Sequence, residues 1–271
     1  YTHGYGAIVA PANAKDASGT PVFVGKDIPY QTEIPSLELT EPSVYFGERL
    51  DSYVLTGTKQ REIHYRGDEG TVYTKYEGAD GVQLDGPLKR AAFALRFGAP
   101  NLLISSQVTS QSKVLYIRDI RDRVEALAPF LHFDADPYPV ILDGRIQWVL
   151  DAYTTTNRYP YGQTADNEQR DPASGLNHDF NYVRNSVKAV VDAYDGTVKL
   201  YVMPVEDPII EAYRDAFPKL FTSFDEMPED LRAHMRYPED LFRVQTNMWG
   251  KYHVADPQEF YGGDDNWDIA R

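Results

Sequence analysis

Apolar and polar residues alternate most regularly along residues 187–203, and an Asp195-Gly196 pair interrupts that alternation once. Asp-Gly between two β-rich runs predicts a two-residue type I′ turn, which needs positive φ at both central positions. Such a turn sets Tyr194 opposite Thr197, Asp192 opposite Lys199 and Val191 opposite Leu200. One face then collects Val187, Ala189, Val191, Ala193, Val198, Leu200 and Val202; the other carries Lys188, Asp192, Lys199 and Tyr201, with Val190 and Met203 among them. The pattern predicts a hairpin dry on one side and wet on the other. Its register is firm, because a one-residue slip exchanges the faces.

A helix follows at Asp207-Pro208, where Asp suits the N-cap and Pro the first helical position. Ile209, Ile210, Tyr213, Ala216 and Phe217 share a face, and Pro218 ends the run. Asp143-Gly144 predicts a second hairpin over 139–142 and 145–153, with Ile141, Ile146, Trp148, Leu150 and Ala152 on one side. The pentapeptide at 149–153 (VLDAY) echoes that at 190–194 (VVDAY), which predicts neighbouring antiparallel strands rather than a repeat.

Helical spacing recurs at 87–97, stopped by Gly98, with Leu88, Ala91, Ala92 and Leu95 on one side. It recurs at 114–128, with Ile117, Ile120, Val124 and Leu127 in a stripe, and at 229–237 and 239–249. Residues 43–46 and 52–56 read as one pair of short strands, 62–65 and 71–76 as another, and 22–24 as a single strand. Residues 28–42 hold three prolines and read as irregular or an edge. Residues 157–180 form a long polar connection, of the length that is usually functional or disordered. Residues 256–271 read as an extended acidic, aromatic tail laid over the body. The sum is an α+β class, antiparallel β-sheet hairpins packed against several α-helices. Residues 1–80 form its strand-rich part and 81–271 an α+β part with both Asp-Gly hairpins, in one continuous domain.

Composition narrows the function. The chain has 271 residues, enough for a proper core, and its 13% aromatic content with 20 Tyr argues against disorder. A net charge of −14 disfavours nucleic acid and simple docking on anionic lipid. The absence of cysteine excludes disulfides, thiolate metal sites and a cysteine nucleophile. No apolar run approaches a membrane span, and the start at Tyr1 without Met leads one to expect a piece of something longer.

Candidate chemistry is sparse. The six histidines show no HxxxH or HExxH spacing. His178, between Asn177 and Asp179 in the polar connection, suits a metal, acid–base work or plain loop hydrogen bonding. His3 and Tyr5 lie among glycines that allow close backbone approach. Asp134 and Asp136 are spaced to share a divalent ion, although Asp136-Pro137 is equally a turn signal. Tyr159 and Tyr161, with Tyr138 and Trp148, are suited to a sugar- or peptide-binding shelf or to anchoring loops. Ser110 and Lys113 satisfy S-x-x-K without its companion motifs, and an ordinary helix start explains them better. Asp264, Asp265 and Asp268 beside Trp267 read as solvated tail. Nothing points to a cofactor.

The runs THGYG, RYPY, NYVRNSVKAVVDAYDGTVKLY and PEDLRAHMRYPEDLF resemble uncharacterised protein family 0182, large multi-pass membrane proteins frequent in actinobacteria. The resemblance covers essentially the whole chain. It implies a large soluble domain that follows membrane helices and lies outside the cytoplasm at the cell membrane. It carries over no catalytic residue. The expectation is a binding or assembly domain whose partner is an envelope protein, lipid or glycan, or its own membrane helices. A cell-envelope hydrolase or transferase and a regulatory domain of a transporter are the alternatives.

Overall fold

The computed structural model describes residues 2–165, 171–263, 265–267 and 269, which adopt an α+β fold. The chain divides into two compact units. The first comprises Tyr1–Arg123, Pro139–Trp148 and Val191–Thr197; the second comprises Val124–Tyr138, Val149–Val190 and Val198–Arg271.

The first unit is built from short antiparallel pairs. Glu62–Gly67 and Gly70–Thr74 form the hairpin their pattern predicts. Residues 43–46 and 52–56 do not pair with each other. Ser43–Val44 pairs with Gly4–Tyr5, and Val54–Thr56 pairs with Lys113–Leu115, which also takes Val82–Gln83. The strand expected at 22–24 lies slightly later, at Gly25–Lys26. The helix expected at 114–128 starts only at Ile120. Val114 and Leu115 are fully buried in the sheet, Ile117 takes a left-handed φ of 52°, and Asp119 then accepts from the Arg121 and Asp122 amides. Helix Pro87–Phe97 has the predicted bounds, with Gly98 at φ 62° closing it. Its buried face is not the predicted one. Phe97 stacks on Tyr53 at 4.2 Å and Phe93 meets Tyr116 at 5.5 Å, while Leu88 and Leu95 stay 85% and 86% exposed. Aromatic partners that flank other strands set the orientation, which the helix's own spacing does not encode.

The two Asp-Gly turns differ. Asp143 and Gly144 both have positive φ, as a two-residue type I′ turn requires. At the second, only Gly196 does. The Asp192 carboxylate accepts from the Tyr194 and Asp195 amides, and the Asp192 carbonyl accepts from Gly196. The loop therefore holds four residues, and Asp192 pairs with Thr197 and Ser186 with Met203. The register moves by two, an even shift that keeps each side chain on its face. Gly196 is required twice over: its φ is 72°, and a Cβ there would lie 2.7 Å from the Phe46 ring.

In the second unit the strands run in the order His132–Phe133, Arg145–Thr156, Tyr182–Asp192, Val198–Val202, Phe221–Ser223. The two long central strands are the echoed pair, and residues of each are shared between the units. The last two strands are parallel and connected through helix Pro208–Ala216, which Asp207 caps as predicted. The wet face expected at 188–192 is absent. Lys188, Val190 and Asp192 are all at least nine-tenths buried. Lys188 is held by the Asp151 carboxylate and the Arg236 carbonyl, and Asp192 accepts from Arg145 and Gln147. Helix Glu239–Tyr252 buries Val244 against Tyr153, Leu176 and Phe180. The tail holds a short helix, Pro257–Gly262, capped by Asp256, rather than an extended run. Trp267 stacks on His253 at 4.0 Å. No described helix is long and apolar enough to cross a membrane.

Candidate ligand-binding cleft

Helix Glu239–Tyr252 is amphipathic, and one stripe of it has two roles. Val244, Asn247, Met248, Lys251 and Tyr252 follow i, i+3, i+4, i+7, i+8 spacing. The first of them seals the core; the others line a cleft of about 410 Å³. The second wall is the start of the central strand, Asn181, Tyr182 and Val183, with Gln163, Thr164 and Ala165 beside it. The Ala165 amide donates to the Phe180 carbonyl at 2.8 Å, which ties this wall together. The third wall is Phe260, Tyr261 and Asn266 from the C-terminal turn and helix.

The lining has a definite chemistry. Five rings (Phe180, Tyr182, Tyr252, Phe260, Tyr261) line it together with amides from Gln163, Asn181, Asn247 and Asn266, and the described lining residues include Lys251 but no Asp or Glu. In a chain with 41 acidic residues that is a local departure. Amides both donate and accept, and tyrosine rings give broad contact at small entropic cost. Tyr182 is fixed: it donates to Asp207 at 2.9 Å, Tyr159 stacks on it at 5.7 Å and the Arg184 guanidinium lies 4.8 Å from its ring centre. Burial, and then the Asp207 carboxylate, push its hydroxyl up to about 12, so it stays protonated at neutral pH.

The expected site residues fall in several places. Tyr159 and Asn181 exchange hydrogen bonds of 3.0 and 2.9 Å, so the RYPY segment is tied down beside the cleft. Tyr161 is fully exposed with a φ of 57°. Tyr138 is buried in the second unit and Trp148 belongs to the first. His178 donates from Nδ1 to the Gly175 carbonyl, accepts at Nε2 from Thr155 and stacks on His132 at 4.2 Å. His3 and Tyr5 belong to the first unit. The His3 ring lies 4.8 Å from Tyr45 and 5.3 Å from His64, and Tyr5 meets His64 edge-on. The Gly4 carbonyl can only accept, so Nδ1 of His3 carries the proton and its buried Nε2 has no partner.

Asp134 and Asp136 do not face a common point. Asp134 is buried and accepts from the Tyr153 hydroxyl and the Asp136 and Asp240 amides, whereas Asp136 is half-exposed and pairs with Arg236 at 2.6 Å. Their spacing makes an Asx turn instead. No cluster of three metal-ligating side chains occurs among the described residues. Ser110-Gln111-Ser112-Lys113 is a turn into a strand, not a helix start. Asp264 and Asp268 lie outside the described residues, as does part of the polar connection.

Three histidines give the protein a pH response. Burial lowers His3, His64 and His132; His3 lowers His64 further and His178 lowers His132 further. At these three residues the unfolded chain therefore binds more protons than the fold just below about pH 6.5. Stability falls as pH drops from that value toward the folded pKa values. Urea midpoints at pH 7.5 and 5.5 will read this as a lower midpoint at pH 5.5, and a triple replacement of these histidines by glutamine flattens the difference.

The uncharacterised protein family UPF0182 matches residues 1–271 of the chain. A UPF0182 protein of Pelotomaculum thermopropionicum is 44% identical over 99% of this chain and 28% of its own length. Those of Methanospirillum hungatei and Streptomyces coelicolor are 42% and 41% identical, each over 99% of this chain and 29% and 28% of their own lengths. The chain spans less than a third of the length of these curated relatives. They come from bacteria and archaea, which corrects an actinobacterial emphasis. No solved structure matches.

Proposed function

The chain belongs to the uncharacterised protein family UPF0182, and from that premise we propose that it is the binding domain of a multi-pass membrane protein, placed outside the cytoplasm, whose cleft takes a neutral glycan of the cell envelope. The observation that carries this reading is the cleft's lining of rings and amides, with no carboxylate among the described lining residues. A sugar offers flat C–H faces to the rings and paired donors and acceptors to the amides, and needs no counter-charge. The share of relatives' length that this chain spans supports a part that acts within a larger protein.

The test is calorimetric titration with neutral oligosaccharides released from envelope material. Binding is expected, and Tyr261→Ala or Asn247→Ala weakens it about tenfold, a loss of about 1.4 kcal/mol. Tyr261 is 90% exposed, so its removal leaves the melting temperature in place. Absence of binding to any neutral glycan, or binding indifferent to both substitutions, refutes the cleft reading.

A further inference from the structure

A second concavity, in the first unit, has the opposite electrostatic character. It encloses about 710 Å³ and is lined by Gly57, Arg61, Glu62, Lys75, Tyr76 and Lys113, among others. Among the described residues its charged lining is three cations and one carboxylate, in a chain whose acidic residues outnumber its basic ones by 41 to 27.

The carboxylate is already saturated. Glu62 is buried; one oxygen accepts from Thr2 and Tyr45, the other from the Gly57 and Tyr76 amides. It is committed to the fold and leaves the cations without a counter-ion. None of the three makes an ion pair among the described residues. The Arg61 guanidinium lies 3.9 Å from the centre of the Tyr73 ring, which occupies its face and leaves its N–H edge. Lys113 gives one proton to the Gly78 carbonyl at 3.0 Å and keeps two. Lys75 is exposed and its ammonium has no hydrogen-bond or ion-pair partner among the described residues.

The S-x-x-K run finds its place here. Gln111 and Lys113 line the cavity, and the Ser112 hydroxyl donates to the Gly57 carbonyl at 3.1 Å. That bond fixes Gly57, whose φ is 63° and whose Cβ would crowd the Gln111 carbonyl at 3.0 Å. The lysine is thus a charge at a cavity wall, its ammonium bonded to the Gly78 carbonyl. Tyr76, also lining, holds a buried hydroxyl with no hydrogen-bond partner.

We propose that this cavity binds a phosphate group through Arg61, Lys75 and Lys113. An arginine edge and two ammonium groups match a phosphate's oxygens, and charge-assisted bonds of this kind are the strong ones. The volume exceeds a bare phosphate, so the ligand is a phosphate ester, whether a soluble sugar phosphate or a lipid head group.

The test follows amide shifts by NMR at constant ionic strength while glucose 1-phosphate is added to the protein, with glucose as control. Saturable shifts are expected at Gly57, Lys75 and Lys113, absent with glucose. Lys75→Gln, at an exposed position, weakens binding at least threefold, and Arg61→Gln with Lys75→Gln at least tenfold. A parallel arm sediments the protein with phosphatidylglycerol vesicles. Co-sedimentation lost in the double variant identifies a head group as the source; binding of glucose 1-phosphate without co-sedimentation identifies a soluble ester. Shifts scattered over other basic residues, or affinity unchanged in the double variant, overturn the proposal. So does failure of both probes to bind. The neutral-glycan cleft is scored separately, at Asn247 and Tyr261.

Discussion

Lys188→Met will lower folding stability by about 3–5 kcal/mol, while Lys188→Met combined with Asp151→Leu will recover most of that loss. Both residues are 3% exposed, and the ammonium bonds to the Asp151 carboxylate and the Arg236 carbonyl. Removing the lysine leaves a buried carboxylate without its cation. Asp151 is already pushed up by burial, an effect that Lys188 opposes and the nearby Asp134 reinforces. Without Lys188 the carboxyl rises further and takes a proton. The sign of the pH dependence follows. A group whose folded pKa is raised contributes stability below its unfolded pKa, and that stability is lost as pH climbs through the folded value. The single variant's deficit against the parent therefore grows from pH 4.5 to pH 7.5, and the double variant's does not. Urea unfolding at the two pH values decides it: equal deficits in single and double variants, flat with pH, would mean that the pair is not an electrostatic unit.

The same pair shows what the sequence does and does not disclose. Local chemistry is legible. Helix Pro87–Phe97 stops at Gly98, Asp207 caps helix Pro208–Ala216, and Asp143-Gly144 turns a hairpin, because each signal is complete within a few residues. The echo of VLDAY and VVDAY correctly indicates neighbouring strands. What fails is whatever depends on a distant partner. Lys188 and Asp192 read as solvent-facing because alternation says nothing of Asp151, Arg145 and Gln147, which supply their partners. Leu88 and Leu95 read as core because the Tyr53 and Tyr116 rings that turn the helix are remote in sequence. The cleft was half visible. The stripe from Val244 to Tyr252 carries helical spacing, yet its second half looks like an ordinary polar face until Gln163, Asn181 and Tyr261 are brought opposite. His178 and the Asp134/Asp136 pair attracted attention by residue type, and the fold engages them with Thr155, Gly175, Tyr153 and Arg236.

Asp207 carries the second large effect, because a helix cap is the lesser part of what it does. Its carboxylate accepts from the Ile209 and Ile210 amides at 3.0 and 3.3 Å, the ordinary capping bonds. It also accepts from the hydroxyls of Thr154, Ser186 and Tyr182. Thr154 and Ser186 are 1% and 0% exposed, so neither has water to turn to. Loss of a cap alone costs about 1 kcal/mol. Stranding buried hydroxyls adds about 1–3 kcal/mol each, moderated here because Thr154 and Ser186 are 3.2 Å apart and can bond to each other. Asp207→Ala is therefore expected to cost about 3 kcal/mol or more. Asp207→Asn keeps one acceptor oxygen for the cap, and its amide can donate to hydroxyls that rotate to accept, so its cost is about half. The acid limb separates charge from shape. Burial pushes the Asp207 carboxyl up, but the donors from Ser186, Thr154 and Tyr182 more than reverse this and hold it below the usual carboxylate range. Its stabilisation is thus present above about pH 3.8 and lost as pH falls through the folded value. Asn has no such titration, so its deficit against the parent shrinks below pH 3.8, as read from thermal midpoints between pH 5 and pH 2.5. A loss under 1 kcal/mol for the alanine variant would mean that the hydroxyls find other partners and that Asp207 is a cap and nothing more. The expected loss would instead make it the joint between two central strands and the helix behind them. Because Tyr182 both donates to that joint and lines the cleft, the alanine variant should also loosen the cleft wall and weaken the glycan binding proposed for it, even under conditions where the protein remains folded.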